Sequence, residues 1–333
     1  MVVTFFSTRP YDQQGFSTAN CDGRHVFRFL DVRLTCDTAP LAAGSDAICA
    51  FVNDSLDAGV LAALAAGGTR LIALRCAGYN NVDLAAARAL GLPIVRVPAY
   101  SPHAVAEHSF ALVLALNRHI PRAFARVRDG NFSLDHLVGF DLFGKTVGVV
   151  GTGAIGREVV RIARGFGCRV LAFDPVVSPE VSEGGAVYVP LPTLFSDSHV
   201  VTLHCPLTPS TFHLVDAAVL ETMRHGSMLI NTSRGALIDT QAVIAALKSG
   251  QLGSLGIDVY EEESSLFFVD HSSDGIADDV FARLLTFPNV IVTGHQAFLT
   301  HEALTAIAAT TVASLDAFAA GHPLVCGVAV APV

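Results

Sequence analysis

The stretch Lys145-Thr-Val-Gly-Val-Val-Gly-Thr-Gly-Ala-Ile-Gly156, with its continuation to Phe173-Asp174, constrains this chain more than any other. Thr146–Val150 is apolar and β-branched, as a short strand buried on both faces must be. Gly151, Gly153 and Gly156 then fit the spacing G-x-G-x-x-G. Ile155, Val159, Ile162 and Phe166 recur at helical spacing, with Arg157, Arg161 and Arg164 on the opposite face. A second apolar strand, Arg169–Phe173, ends at Asp174. Strand, helix, strand and terminal acid together are the fingerprint of a dinucleotide site. Gly151 permits the tight turn, Gly153 lets a pyrophosphate approach the backbone, and Gly156 lets the helix pack close to the strand. The helix N-terminus adds unpaired N–H groups and the positive end of its dipole. Asp174 can accept both hydroxyls of an adenosine ribose and repels a 2′-phosphate, and Pro175-Val176-Val177 offers no Arg to receive one. The pattern favours NAD over NADP.

A chain of 333 residues has room for two domains of ordinary size. With 51% hydrophobic and 15% charged residues it belongs to the globular class. Its net charge of −9 and pI near 5.7 argue against nucleic acid and anionic membrane surfaces as partners. The mean hydropathy of +0.50 comes from Ala, Val and Leu spread along the chain rather than from one membrane-length run. Met1-Val-Val-Thr-Phe-Phe-Ser7 has too short an apolar core for a signal peptide and lacks a basic leader. Seven cysteines, from Cys21 to Cys326, form no C-x-x-C pair, which reads as reduced thiols in a cytoplasmic protein without a metal.

The first hundred residues alternate strands (2–6, 47–52, 71–75, 94–97) with helices (58–66, 82–90), predicting a small α/β domain with its own parallel sheet. The turn Arg75-Cys-Ala-Gly-Tyr79 lies at a strand end, where such sheets take ligands. Ala77 and Gly78 there either present bare N–H groups to a small anion or form an ordinary βα turn. Two prolines in Pro98-Ala-Tyr-Ser-Pro102 mark a hinge into a second domain. Residues 104–116 predict a helix apolar nearly all round, hence buried on more than one side. That places it at a domain or subunit interface, with Glu107 and His108 as satisfied interface groups. Beyond Gly144, strands at 199–203, 227–231, 254–257 and 290–292 and helices at 216–223 and 240–248 continue the nucleotide unit. A helix at 300–320 has no strand to alternate with and is expected to cross back to the first domain. The nucleotide domain would then be an insertion in the other.

Three polar residues follow strand ends of this second domain: Arg234 after Ile230-Asn-Thr-Ser233, Glu263 after Gly256-Ile-Asp-Val-Tyr-Glu-Glu262, and His295 after Val290–Gly294. Each has an ordinary reading, as a surface ion-pairing group, one of a run of three acids, and one of 13 histidines. Beside a nicotinamide site the three form an electrophile clamp, an orienting acid and a proton donor, which suits reduction of a 2-keto acid. A guanidinium offers a planar pair of donors to carboxylate and carbonyl oxygens that Lys cannot match. A carboxylate against one imidazole nitrogen holds the tautomer and favours the imidazolium. The cofactor supplies the hydride; the protein supplies position and charge.

At these residues the chain resembles the D-isomer-specific 2-hydroxyacid dehydrogenase family over essentially its whole length. Six segments closely resemble its NAD-dependent fermentative D-lactate dehydrogenase branch: Ala73-Leu-Arg-Cys-Ala-Gly-Tyr-Asn-Asn-Val-Asp83, Val97-Pro-Ala-Tyr-Ser-Pro102, Val105-Ala-Glu-His108, Leu203-His-Cys-Pro-Leu-Thr-Pro209, Ile230-Asn-Thr-Ser-Arg-Gly-Ala-Leu-Ile-Asp239 and Thr293-Gly-His-Gln-Ala-Phe-Leu-Thr300. The resemblance implies two doubly wound parallel-sheet domains, a Rossmann NAD-binding domain (101–298) inserted in a flavodoxin-like substrate domain (1–100 and 299–333). It implies Arg234 as the substrate-binding catalytic residue, His295 as acid/base and Glu263 as its partner. It implies Ala154, Ile155, Asp174, Cys205, Pro206, Thr232, Ser233 and Arg234 at NAD, with Asp258 near the nicotinamide. Ala77 and Gly78 would hold the substrate carboxylate, with Tyr100 and Phe298 bordering the pocket. Expected partners are pyruvate and D-lactate and further copies of the chain, as a homodimer or homotetramer.

Some relatives carry Tyr where this chain has Phe298, so one hydroxyl near the pocket is missing and preference among 2-keto acids stays open. A bulkier 2-keto acid such as phenylpyruvate or 2-ketobutyrate is the nearest alternative. Glu263 argues against a formate dehydrogenase, which lacks that acid. A non-catalytic NAD(H)-sensing corepressor-like protein is the alternative from another class, though such proteins usually carry partner-binding tails.

Overall fold

The computed structural model describes residues 1–324 and 326–328, together with the backbone but not the side chain of Ser265; the last residues expected in the first domain, 329–333, lie outside the described ones. The chain forms two compact units, Met1–Ser101 with Leu299–Val333, and Pro102–Phe298.

The first unit runs β1 (Val2–Phe5), α1 (Pro10–Ala19), β2 (Val26–Phe29), β3 (Ala47–Ala50), α2 (Ala58–Ala66), β4 (Leu71–Leu74), α3 (Leu84–Ala89) and β5 (Ile94–Arg96). Its five strands are parallel in the order β2-β1-β3-β4-β5, the flavodoxin-like winding. The inner strands β3 and β4 are wholly buried apolar runs, which made them legible as strands. Two elements are additions to the expected set. In α1, only Asp12 and Phe16 are buried, so the helix shows no apolar stripe. The edge strand β2 carries Arg28 and exposes Val26.

The second unit opens with α4 (Pro102–Asn117) and α5 (Ile120–Arg128), then β6 (Thr146–Val150), α6 (Ala154–Gly165), β7 (Arg169–Phe173), α7 (Pro179–Glu183), β8 (Ala186–Tyr188), α8 (Leu191–Asp197) and β9 (Val200–Leu203). It continues with α9 (Ala217–Thr222), β10 (Ser227–Asn231), α10 (Thr240–Ser249), β11 (Leu252–Ile257), α11 (Asp279–Leu285) and β12 (Val290–Val292). All seven strands are parallel, in the order β12-β11-β10-β9-β6-β7-β8. Counted from its own first strand this is the Rossmann order, with the chain reversing direction across the sheet between β6 and β9. Asp57, Asp216 and Asp239 start α2, α9 and α10 by accepting a backbone N–H two or three residues into the helix.

Within its own unit, α4 packs against α6, β10 and β11, burying Ala106, Phe110, Leu112, Val113 and Leu116 there.

The chain then returns to the first unit as α12 (His301–Ala319), which packs on α1, β4 and β5. By length and composition α12 is the one described helix able to cross a membrane. Its buried residues, among them Ala303, Ile307, Val312 and Leu315, serve instead as the cover of the five-stranded unit.

Candidate active site

The glycine loop joins β6 to α6 at the switch point of the seven-stranded sheet. Gly151 sits at φ +93°, and a Cβ there would lie 2.6 Å from the Cys205 nitrogen. A Cβ on Gly156 would lie 2.0 Å from the Gly151 carbonyl oxygen. These two glycines are therefore demanded by packing inside the protein. Gly153 is different. It caps α6, and a Cβ on it would meet no protein atom within 4 Å. Its missing side chain leaves open space in front of the helix N-terminus, at Ala154 and Ile155, which suits a phosphate approaching the backbone. At the end of β7, Asp174 accepts the Thr152 N–H (2.8 Å) and the Val176 N–H (2.9 Å), one on each carboxylate oxygen. It remains half-exposed, with lone pairs left for ribose hydroxyls.

At the end of β9, burial pushes the Cys205 thiol up to about 11, so it stays a neutral wall group beside Pro206. The turn after β10 is braced by Asn231, whose side chain accepts the Ser233 N–H (3.0 Å) and donates to the Arg234 carbonyl (2.8 Å). The Ser233 hydroxyl donates to the Cys205 carbonyl (2.7 Å), and the Thr232 and Ser109 hydroxyls bond at 2.9 Å. Arg234 is thus carried on a turn tied to its neighbours on three sides, with its Nη1 on the Ser233 carbonyl (2.6 Å). Gly235 lets this turn press against the next segment, since a Cβ there would fall 2.0 Å from the Tyr260 carbonyl carbon.

That next segment follows β11 and bears Glu263. One Glu263 oxygen accepts the Tyr260 N–H (3.0 Å); the other meets His295 Nδ1 at 2.9 Å. Both side chains are mostly buried but reach solvent, at 23% and 17% exposure, so a small molecule can reach the pair. The Phe268 ring lies 5.9 Å from the imidazole. His295 sits in the left-handed region, φ +54°, and Asp258 is what holds it there. The Asp258 carbonyl accepts the His295 N–H (2.7 Å), and its carboxylate accepts Thr293 Oγ1 (2.5 Å) and the N–H groups of Gln296 (2.9 Å) and Ala297 (2.8 Å). Burial acts to raise the Asp258 pKa, but bonds from His108, Thr293 and the two N–H groups outweigh it and hold the carboxyl below the usual range.

Arg234, Glu263 and His295 therefore rise from neighbouring strand ends of one sheet, and Glu263 and His295 are in direct contact. Asp258, expected near the nicotinamide, has its carboxylate enclosed by the loop it organises. Phe298, the last residue of this unit, is buried. In the first unit, Ala77 and Gly78 form the turn beyond β4, where their N–H groups have no partner among the described residues. The Ala77 carbonyl accepts Arg96 Nη1 at 2.6 Å, and Arg96 lies over the Tyr79 ring. Tyr100 is half-buried just ahead of α4.

Three groups make contacts that the sequence reading did not give. His108 bonds Thr293 Oγ1 (3.0 Å) across α4 and β12, which only the fold brings together. His213 meets Glu261 at 2.5 Å, and Glu261 also accepts Thr240 Oγ1 (3.2 Å), fixing the segment two residues ahead of Glu263. Tyr188, at the end of β8, bonds Thr152 inside the glycine loop. The spacing of the first pair, 185 residues apart, carries no local signal.

Residues 110–297 match the NAD binding domain of the D-isomer specific 2-hydroxyacid dehydrogenases. The chain belongs to that family. It is 54% identical over 316 residues to the D-lactate dehydrogenase of Escherichia coli (strain K12), covering 95% of this chain and 96% of that one. Among solved structures, the apo structure of D-lactate dehydrogenase from Escherichia coli superposes with a TM-score of 0.90 at 50% identity, covering 98% of this chain and all of the other. The D-lactate dehydrogenase from Aquifex aeolicus, solved in complex with NAD and lactic acid, gives 0.86 at 33% identity over 96% of each chain. These similarities span both units, so this 2-hydroxyacid dehydrogenase shares the fold of its relatives as well as the NAD-binding domain that defines the family.

Proposed function

We propose that this 2-hydroxyacid dehydrogenase reduces pyruvate to D-lactate with NADH, and runs the reverse reaction, with Arg234, Glu263 and His295 as its catalytic group. The observation that carries this reading is the 2.9 Å contact of His295 Nδ1 with Glu263, beside the Arg234 turn and at the edge of the sheet that bears the glycine loop. Gly151–Gly156 and Asp174 would hold NADH by its pyrophosphate and ribose hydroxyls, and the bound nucleotide would supply a hydride to C2 of the keto acid. Arg234 binds the substrate's carboxylate and carbonyl oxygens and stabilises the charge that grows on the latter. His295 Nε2, the nitrogen not turned to Glu263, gives its proton to that oxygen, and the product is the 2-hydroxy acid. Glu263 keeps the imidazole in the one orientation that aims Nε2 outward, and it stabilises the charged form. Ala77 and Gly78 hold the substrate carboxylate by their N–H groups, with Tyr100 and Phe298 at the pocket border.

We assign its place of work to the cytoplasm, in keeping with seven free cysteines. We further assign a homo-oligomer. Support for it also comes from α5, whose Ile120, Phe124 and Val127 share one face and are each more than half exposed. Phe132, Leu134, Val138 and Phe143, in the segment that follows, are exposed still further. Apolar surface of this extent is covered in stable proteins, and a second copy is the partner available to every molecule.

The test is NADH oxidation with a panel of 2-keto acids and chiral analysis of the product. D-lactate from pyruvate is expected; L-lactate, or no oxidation of NADH with pyruvate, refutes the reading.

A further inference from the structure

The adenosine end of the glycine loop carries a strut that the reaction does not explain. Tyr188 is the last residue of the edge strand β8, paired with Ala172 of β7. Its hydroxyl lies 2.8 Å from Thr152 Oγ1 and accepts the Ser178 N–H at 3.0 Å. Thr152 is the middle residue of Gly151-Thr152-Gly153, and its own N–H is on Asp174 at 2.8 Å. Ser178 closes the short segment Pro175-Val176-Val177-Ser178, whose near end is pinned by the Val176 N–H on Asp174 (2.9 Å). One phenol thus ties the two loops that flank the Asp174 carboxylate.

We propose that Tyr188 is a positioning residue for dinucleotide selectivity: by bracing 175–178 against the glycine loop it keeps the space beside Asp174 too small for a 2′-phosphate. The inference rests on the assignment of Asp174 as the ribose-binding acid. A carboxylate alone repels a phosphate dianion only as long as the two are held close, because a turn free to swing outward admits water and weakens the repulsion. Val176 and Val177 are exposed apolar side chains with no donor for a phosphate, so the segment excludes by position and supplies no favourable contact. At the far end of the segment, Tyr188 accepts the Ser178 N–H, while the Ser178 carbonyl accepts the N–H (3.2 Å) and hydroxyl (3.4 Å) of Ser182 in α7; the phenol is the bond that joins this end to the glycine loop. Without its hydroxyl, the Ser178 N–H and Thr152 Oγ1 each lose a bond, and the segment stays anchored through Val176 and α7 but loses its tie to Thr152.

The experiment uses the whole enzyme and compares Tyr188→Phe, Asp174→Ala and the double variant for kcat and KM with NADH and NADPH at saturating pyruvate. Dissociation constants come from nucleotide fluorescence titration. For Tyr188→Phe the ratio of kcat/KM for NADPH over NADH should rise about five- to tenfold, the effect of one or two neutral hydrogen bonds. KM for NADH should rise by a similar factor, while kcat at saturating NADH stays within about twofold. Thr152→Ala cuts the same strut from its other end and should shift the ratio in the same direction, which keeps the test open should Tyr188→Phe fold poorly. If Asp174→Ala relaxes selectivity while Tyr188→Phe and Thr152→Ala leave the ratio at its wild-type value, the strut has no such role. A uniform loss of affinity for both nucleotides in the strut variants overturns it equally. If Asp174→Ala itself changes nothing, the ribose assignment fails instead.

Discussion

Asp258 grips His295 from two sides: its carbonyl takes the His295 N–H at 2.7 Å, and its buried carboxylate takes the N–H groups of the two residues that follow. A histidine in the left-handed region is held there only if its surroundings over-determine it. The proton donor is therefore aimed by a residue that need not touch the substrate. In Asp258→Asn, an amide must face donors on every side, so one N–H is left unmatched. A loss of about 1.5–3 kcal/mol of stability is expected, with kcat reduced more than the affinity for NADH. Because the Asp258 carboxyl is held below its usual range, its stabilisation is complete above about pH 4 and is lost as the pH falls through its folded value. Denaturant melts should show variant and wild type far apart at pH 7 and converging in strong acid; a gap independent of pH would contradict this.

The two outer glycines of the loop answer to the protein and the middle one to its ligand. Gly156→Ala drives a Cβ into the Gly151 carbonyl and should cost several kcal/mol, about as much as a severe overpacking change. Gly153→Ala meets nothing in the protein, so its melting temperature should match wild type while NADH binding weakens at least about tenfold. Wild-type affinity in Gly153→Ala would show that no phosphate comes close there.

Arg234→Lys keeps the charge and discards the planar pair of donors. KM for pyruvate should rise and kcat fall, together by about tenfold to a hundredfold in kcat/KM, with NADH affinity near wild type. Equal loss of NADH and pyruvate binding would remove Arg234 from its assigned role.

His204, just past the end of β9, is largely enclosed, and desolvation pushes its pKa down to about 3. The folded protein holds it neutral, so unfolding takes up a proton whenever the pH is below the ordinary histidine value. Stability should thus be full above about pH 6.5 and decline toward acid by about 1.4 kcal/mol per pH unit from this residue alone. His204→Gln should flatten that slope between about pH 6 and 4. A slope unchanged in the variant would place the proton uptake elsewhere.

The exposed face of α5 makes the subunit assignment easy to test. Phe124→Asp with Val138→Asp should convert the assembly to monomers in sedimentation velocity, since a buried unpaired carboxylate is costly at an interface. An unaltered sedimentation coefficient would place the interface on another surface.

Legibility followed burial and locality. Strands at 146–150, 169–173, 227–231 and 290–292 were readable to the residue because each is a short apolar run ending in a turn signal. The chain order of Arg234, Glu263 and His295 after successive strands was readable for the same reason. Helix α1 was not, because it buries only Asp12 and Phe16 and shows no apolar stripe, nor was strand β8, three residues long and too short to repeat a period. With β8 went Tyr188, whose partners in the glycine loop come from a different strand end. Asp258 was visible as a motif residue, but its grip on residues 293–297 depends on β11 and β12 lying side by side. The all-round apolarity of α4 reports burial and does not say which elements do the burying; α6, β10 and β11 supply part of it.

Helix α12 is the last long element of the chain, yet it lies on β4 and α1, which are among the first. During synthesis the five-stranded sheet must therefore leave the ribosome with part of one apolar face bare, and wait while the entire seven-stranded unit is translated. The inserted unit has all its partners within one continuous stretch and meets no such delay. The half that begins first is thus finished last, and its waiting surface is where a nascent chain of this enzyme is most exposed to chaperones and to aggregation.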